Sequence, residues 1–375
     1  MGKGLANALL ISSREAFRGA APISKLTPPG FLQYVLDNNK PNIISIGKDD
    51  GSGYIRDIKI RYRSRGTPGK SVTTDDCSQQ VKPAYKEYVV PSTSYRALGL
   101  VFEDDVIAKF EKDALAQVSA GNPQFTGIML DIFEAITEQA NGLFGDINND
   151  LLTYQAINFG KNMVTGAATP KSINFLKDAT QNQLNTGMTE VMADAMANEI
   201  RLAGAVIVGS GLINNYYLQQ VAKSADNTGV NTAQLALPKF YFDQFAASKW
   251  GANQFGVFER DAVQFVNVCR FRGAKSGQKG SDFFMTLRLP LVDSLGQGIL
   301  SGFEFDVQLS YRTCPDQVQV GTYNADTNPP VSLGRGWNVI LSCAYQTVNI
   351  PSDSYDTDDL LSGVNGTFRY VAANT

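Results

Sequence analysis

The stretch Phe125–Leu143, FTGIMLDIFEAITEQANGL, does most to limit what this chain can fold into. Phe125, Ile128, Met129, Ile132, Ala135, Ile136, Ala140 and Leu143 recur at i, i+3, i+4, i+7, so a helix gathers them on one face. Asp131, Glu134, Glu138 and Asn141 fall opposite, where a solvated face belongs. The spacing predicts a rod of about 28 Å, entered after Pro123 and loosened at Gly142 and Gly145. Leu130, on the polar side, predicts a second, smaller contact. Taken alone, the stretch is a core helix of some α+β protein. Its neighbours in sequence decide whether it is more.

The chain has 375 residues, enough for a large core and about two or three domains. Two compositional facts exclude whole classes of chemistry. There is no histidine, which removes Ser-His-Asp and Cys-His catalysis and every His-ligated metal site. Cys77, Cys269, Cys314 and Cys343 are scattered without CxxC spacing, and read as free buried thiols in a reducing compartment. No metal, cofactor or catalytic group is therefore expected. The net charge of −3 supplies no overall basic field for nucleic acid or membrane. No apolar run reaches the length of a membrane span. The apolar run Leu5–Ile11 is short and broken by Asn7, which does not make a secretion signal, and Ala6 stands where a myristoylation motif needs Ser or Thr.

Residues 1–41 read as an arm, whose first thirty residues carry Lys3, Arg14, Arg18 and Lys25 against Glu15 with apolar residues interspersed. Pro22, Pro28 and Pro29 rule out one long helix, and Phe31–Asp37 is a short helical turn. Such a segment docks either on a neighbouring subunit or on its own chain. Residues 42–102 read as an extended β-hairpin loop. Ile58, Ile60 and Tyr62 alternate with Lys59, Arg61 and Arg63, and the return strands are Tyr85–Val90 and Tyr95–Phe102. Residues 54–72 carry six cations, Arg56, Lys59, Arg61, Arg63, Arg65 and Lys70, against Asp57 alone. This strip has few interleaved aromatics for stacking bases. It could instead face an acidic neighbour, and Glu103, Asp104 and Asp105 supply one. The plainer reading is two solvated charge runs.

Three motif-like patterns fail. Asp146, Asn148 and Asp150 mimic a calcium loop, but Leu151 stands where Gly is needed and Ile157 where Glu is needed, so Asp146–Asp150 is expected to cap a helical turn. Gly209-Ser-Gly211 has Asn214 in place of the third dinucleotide-binding glycine, and Gly69-Lys70-Ser71 has Ser64 in place of the first phosphate-loop glycine. From 166 to 280 short mixed elements follow. Leu184, Met188, Val191, Ala195 and Leu202 share a helix face, Ala205–Val208 reads as a buried strand and Leu212–Lys223 as a helix. Beyond 281 come long strands. Phe303, Phe305, Val307, Leu309 and Tyr311 point one way and Glu304, Asp306, Gln308 and Ser310 the other, with further strands at Asp282–Leu291 and Trp337–Tyr345.

This order resembles the major capsid protein of tailed bacteriophages, the Hong Kong 97-type fold. The matching pieces are an N-terminal arm (1–41), an extended β-hairpin loop (42–102), a peripheral domain with the spine helix (103–165), an apical domain (166–280) and peripheral strands with a C-terminal segment (281–375). FEDDVIAKFE after the hairpin, the rod running into NNDLLTYQAINFGKN, and KFYFDQF with GANQFGVFERDAVQFV have the texture of such chains. The resemblance implies an α+β, non-enzymatic subunit that assembles with itself, as hexamers and pentamers, into an icosahedral or prolate shell. That shell would enclose double-stranded DNA without sequence-specific binding, and would form in the host bacterial cytoplasm. Scaffolding, portal and decoration proteins are the implied partners, with no membrane. The lack of a long helical segment before the arm implies a separate scaffolding protein or earlier loss of that piece. Arg61, Arg63 and Arg65 with Glu103, Asp104 and Asp105 are the expected intersubunit contacts. Competing readings are an encapsulin-like nanocompartment shell, another virion protein, and a His-free hydrolase built on carboxylates.

Overall fold

A computed structural model describes residues 2–17, 26–38, 43–46, 58–62, 86–90, 94–119, 127–161, 170–174, 181–197, 204–225, 238–271, 276–292, 299–313, 335–349 and 366–373. The fold is α+β. It divides into two compact units that interleave in sequence: residues 1–28, 94–146 and 267–345 form the first, and residues 29–93, 147–266 and 346–375 the second.

The first unit is organised on long antiparallel strands. β4 (Ser94–Glu103), β10 (Gly277–Lys279), β11 (Asp282–Val292), β12 (Ile299–Thr313) and β13 (Arg335–Asn349) lie in the order β10-β11-β12-β13-β4. Phe283 sits opposite Leu309, and Leu309 opposite Val339, so the apolar positions fall in register across three strands. β4 was expected to be part of the hairpin. It pairs instead along β13, from Glu103 opposite Gly336 to Ser94 opposite Tyr345.

Helix α4 (Gly127–Ile157) is the expected rod, but it runs on well past Leu143. At about 1.5 Å per residue its length is roughly 46 Å. Gly142 and Gly145 do not end it. Each costs a helix about 1 kcal/mol relative to Ala, and burial of Leu143, Phe144, Ile147, Leu151 and Leu152 offsets that cost. The Phe144 ring meets Phe303 edge-on at 4.9 Å and Phe305 at 5.6 Å, so the apolar face of the helix packs on the apolar face of β12.

The opposite face of β12 departs from the sequence expectation. Asp306 and Ser310 are fully buried, although alternation alone assigns them to solvent. The segment after the strand-forming run Val263–Val268 reaches Asp306. The Arg270 backbone N–H (2.8 Å) and guanidinium Nε (3.2 Å) both donate to Asp306 Oδ2, and the Phe271 N–H donates to Oδ1 at 3.1 Å. The Arg270 Nη2 also donates to Ser342 Oγ at 3.1 Å. A buried carboxylate is tolerated because it is paired and its lone pairs are filled. Beside it, burial first, and then the nearby Cys269 and Asp306, push the Cys343 thiol up. Cys269 and Cys343 are free thiols; Cys77 and Cys314 lie outside the described residues.

The second unit holds two sheets. β1 (Ile43–Ile46), β2 (Ile58–Tyr62) and β3 (Lys86–Val90) form an antiparallel three-stranded sheet in that order. A mixed five-stranded sheet combines β5 (Lys171–Asn174), β6 (Val206–Gly209), β7 (Lys239–Phe242), β8 (Gln254–Phe258) and β14 (Thr367–Ala373) in the order β5-β14-β8-β6-β7. One face packs Ile207, Phe255, Val257 and Tyr370 against Met188, Val191 and Ala195 of α5 (Gln181–Ala197) and Ile213 and Tyr216 of α6 (Gly211–Ala225). Val206 and Val208 are buried too, and alternation puts them on the other face. Phe258 belongs to an aromatic cluster in which its ring lies 5.3 Å from Phe31, 5.2 Å from Tyr34 and 5.8 Å from Phe159. Strands buried on both faces read as continuous apolar runs, as VIVG and GVF do here.

Candidate functional site

Of the two charged groups that the sequence marks, the described basic residue and the acidic run fall in different units. Arg61 lies in β2, opposite Glu87 of β3. Arg63 and Arg65 lie outside the described residues. Glu103 ends β4, and Asp104 and Asp105 open helix α3 (Asp104–Ser119); all three are exposed. Carboxylates in a first helical turn face the positive end of the helix dipole, a gain of about 0.3–1 kcal/mol each. This acidic run therefore has a local purpose, starting a helix where a strand stops. Asp104 Oδ2 also accepts from the Tyr311 hydroxyl at 2.7 Å, and Lys109 approaches Asp105 at 3.8 Å one turn on.

The described part of the arm docks on its own chain. Helix α1 (Gly2–Phe17) packs on β11 and α3, with Leu5 and Leu9 fully buried. Ser13 Oγ donates to the Arg288 carbonyl, and the Arg288 guanidinium lies 5.3 Å from the centre of the Phe17 ring. Leu26 then adds a backbone bridge to β11, donating to the Pro290 carbonyl and accepting from the Val292 N–H, both at 3.1 Å.

The most highly built polar centre went unnoticed in the sequence. Helix α2 (Gly30–Asn38) follows two prolines and has no Ser, Thr, Asp or Asn at its start to cap it. Its first N–H groups need acceptors. The fully buried Asp243 accepts from the Phe31 N–H at 2.8 Å, and the fully buried Asn148 accepts from the Leu32 N–H at 2.9 Å. Asn148 Nδ2 in turn donates to Asp243 Oδ2 at 2.9 Å, and the Phe245 N–H donates to Asp243 Oδ1 at 2.8 Å. Asn148 was expected to cap a turn of its own segment; it lies inside α4 and caps a different helix. Gly30 is required by close approach, because a Cβ there would fall 2.0 Å from the Phe242 carbonyl oxygen. A second buried set, Gln155, Asn349 and Thr367, closes the end of α4: Gln155 Nε2 donates to Thr367 Oγ1 at 3.0 Å and Asn349 Nδ2 to Gln155 Oε1 at 3.0 Å. These centres order backbone and present no reactive group to solvent.

Among the described residues, no cluster of three or more Cys, Asp or Glu could hold a metal ion, and no helix is long and apolar enough to cross a membrane. No family model and no curated protein matches the chain. Among solved structures it is similar to a chain of the cyanophage A-1(L) capsid asymmetric unit, at 14% identity, covering 93% of this chain and 94% of that one, with a TM-score of 0.43. It is also similar to a chain of the cyanophage P-SCSP1u capsid, at 11% identity, with 88% and 86% covered and a TM-score of 0.40. A virus-like particle from Pyrococcus furiosus gives 8% identity, 95% and 99% coverage and a TM-score of 0.36.

Proposed function

We propose that this chain is a structural subunit of a tailed-bacteriophage capsid, built on the Hong Kong 97-type plan and assembled from copies of itself into a shell around DNA. The observation that carries the reading is the interleaving of the two units along the sequence. The chain lays down a docked arm, leaves to form the β1-β2-β3 sheet, returns through β4 and α3, and crosses into a mixed α/β unit along one long helix. It comes back for the long strands. Arm, hairpin, spine, apical domain and peripheral strands follow one another in that order in the capsid plan. In this assignment 1–41 is the arm, 42–102 the extended loop with β4 as its return into the peripheral sheet, 103–165 the peripheral domain with the spine, 166–280 the apical domain, and 281–375 the peripheral strands with a C-terminal segment whose β14 joins the five-stranded sheet of the second unit.

The role asks for tiling rather than chemistry, and the polar centres suit it. Asp243, Asn148 and Gln155 spend their hydrogen bonds on fixing backbone, which keeps identical subunits alike enough to repeat by symmetry. Arg61, Arg63 and Arg65 pair with Glu103, Asp104 and Asp105 of a neighbouring subunit, each contact modest and multiplied over the shell. DNA is held by enclosure, since the net charge of −3 offers no general attraction. The subunit acts in the virion after assembly in the host cytoplasm, with scaffolding, portal and decoration proteins as partners.

Electron microscopy of the expressed full chain tests the reading. Closed shells are expected. With Arg61→Glu, Arg63→Glu and Arg65→Glu combined, shells should disappear while the circular dichroism spectrum is unchanged. Normal shells from that variant would remove the charge pairing and leave the capsid reading standing.

A further inference from the structure

Helix α3 buries one face through Ile107, Phe110 and Ala114. The opposite face carries Asp105, Ala108, Lys112 and Leu115 at i, i+3, i+7, i+10, all exposed, with Leu115 at 58%. Acid stands at one end of this stripe, base near the other, and a small side chain between them. Just before the helix, Val101 is a second large apolar residue in water, 41% exposed.

From this pattern we infer that α3 pairs with α3 of a second copy of the chain, antiparallel, across a two-fold axis beside Ala108. The inference rests on the capsid reading for the setting in which two-fold-related copies meet. An isologous contact needs a self-complementary surface, because whatever one copy presents must fit the same patch turned around. A two-fold between Ala108 and Lys109 sets Asp105 beside Lys112 of the second copy, and Lys112 beside its Asp105. The same operation lays Leu115 at the start of the second helix, where Val101 waits. Ala108 at the crossing lets the axes close to the short end of the usual range of about 8–10 Å. The Lys109–Asp105 contact within one helix does not compete, since both side chains are about two-thirds exposed, at 66% and 65%, and such pairs are worth little. The helix pair takes Asp105 out of the acidic set proposed above to meet the basic loop, and leaves Glu103 and Asp104 to that loop of another neighbour.

Two variants of the full chain test the pairing. Ala108→Cys puts a thiol at the axis, and mild oxidation should join copies into a covalent dimer that the unsubstituted chain, with its four native cysteines, does not form. Lys112→Asp should lower particle yield by about tenfold or more, because it sets two carboxylates against each other twice per contact. Adding Asp105→Lys to Lys112→Asp should restore it. Particles that assemble with Lys112→Asp and give no Ala108→Cys dimer would overturn the pairing and keep the capsid reading. Absence of any particle from the unsubstituted chain would overturn the capsid reading instead. In that case a covalent Ala108→Cys dimer in solution would still support the helix pair, and its absence would remove it.

Discussion

The sheet of β10 to β13 with β4 and the five-stranded sheet of the second unit bury their central strands by opposite routes. In the first, β12 alternates apolar and polar residues, and β10 to β13 follow one another by hairpins in sequence order, with the earlier strand β4 added beside β13. On its polar face Asp306 is buried with an ion pair to Arg270. In the second, strands of four to seven residues come from five separated segments, two neighbour pairs are parallel, and the central strands β6 and β8 are apolar on both faces. Polar groups there sit at the ends of elements and hold backbone. The first sheet therefore depends on a charge, and the second on hydrogen-bonded junctions.

That difference can be broken one side at a time. Asp243→Ala removes the acceptor for the Phe31 N–H, the Phe245 N–H and Asn148 Nδ2. At about 1–3 kcal/mol for each of the three orphaned buried donors, the loss should be about 3–9 kcal/mol. Hydrogen exchange should speed up in α2 and β7 peptides and stay near its original rate in β12 peptides. Arg270→Met should cost somewhat less, about 3–5 kcal/mol, by leaving the Asp306 carboxylate buried without its cation. Here β12 and β13 peptides should exchange faster, and β8 peptides should not. If either substitution loosens both sheets equally, the contrast between them is wrong.

How much of this was legible follows the same line. Alternation along Phe303–Tyr311 and helical spacing from Phe125 to Leu143 are local patterns; the strand formed where the spacing placed it, and the helix holds the pattern from Gly127 on, with Phe125 outside the described residues. The extent of α4 was not legible, because Gly142 and Gly145 argue locally for an end while the burial that carries the helix on is tertiary. Asp306 read as solvent-facing because its partner, Arg270, lies far back in the chain and belongs to no pattern. The cap of α2 was invisible for the same reason: Asp243 and Asn148 lie 212 and 116 residues away from the N–H groups they satisfy. Of the charged residues singled out, Glu103, Asp104 and Asp105 proved to have a helix to start, a role their position before VIAKF could have revealed.

Smaller effects sharpen the account of the second unit. Burial first, then the charge of Asp261, raises the Tyr34 phenol above its ordinary value of 10.0, and burial with Asp194 does the same for Tyr370. Both groups fold best in their neutral form. Their contribution is complete below about pH 10 and falls as the pH rises beyond it. The urea midpoint should therefore decline on the alkaline side, with a shallower slope in Tyr34→Phe/Tyr370→Phe. Smallest of all, Lys171→Ala should change stability by no more than about 1 kcal/mol, because Lys171 is 42% exposed and its partner Asp194 keeps the Tyr370 hydroxyl at 3.0 Å. A larger loss, read from the same urea titration, would mean that the exposed edge of β5 matters more than its short interior.

The most direct test of the central claim is sedimentation velocity on the purified full chain. A shell subunit predicts a fast, narrow boundary of closed particles with little material between particle and free chain, because assembly by many repeated contacts is cooperative. A single slow boundary, unchanged as the protein concentration is raised, would contradict it.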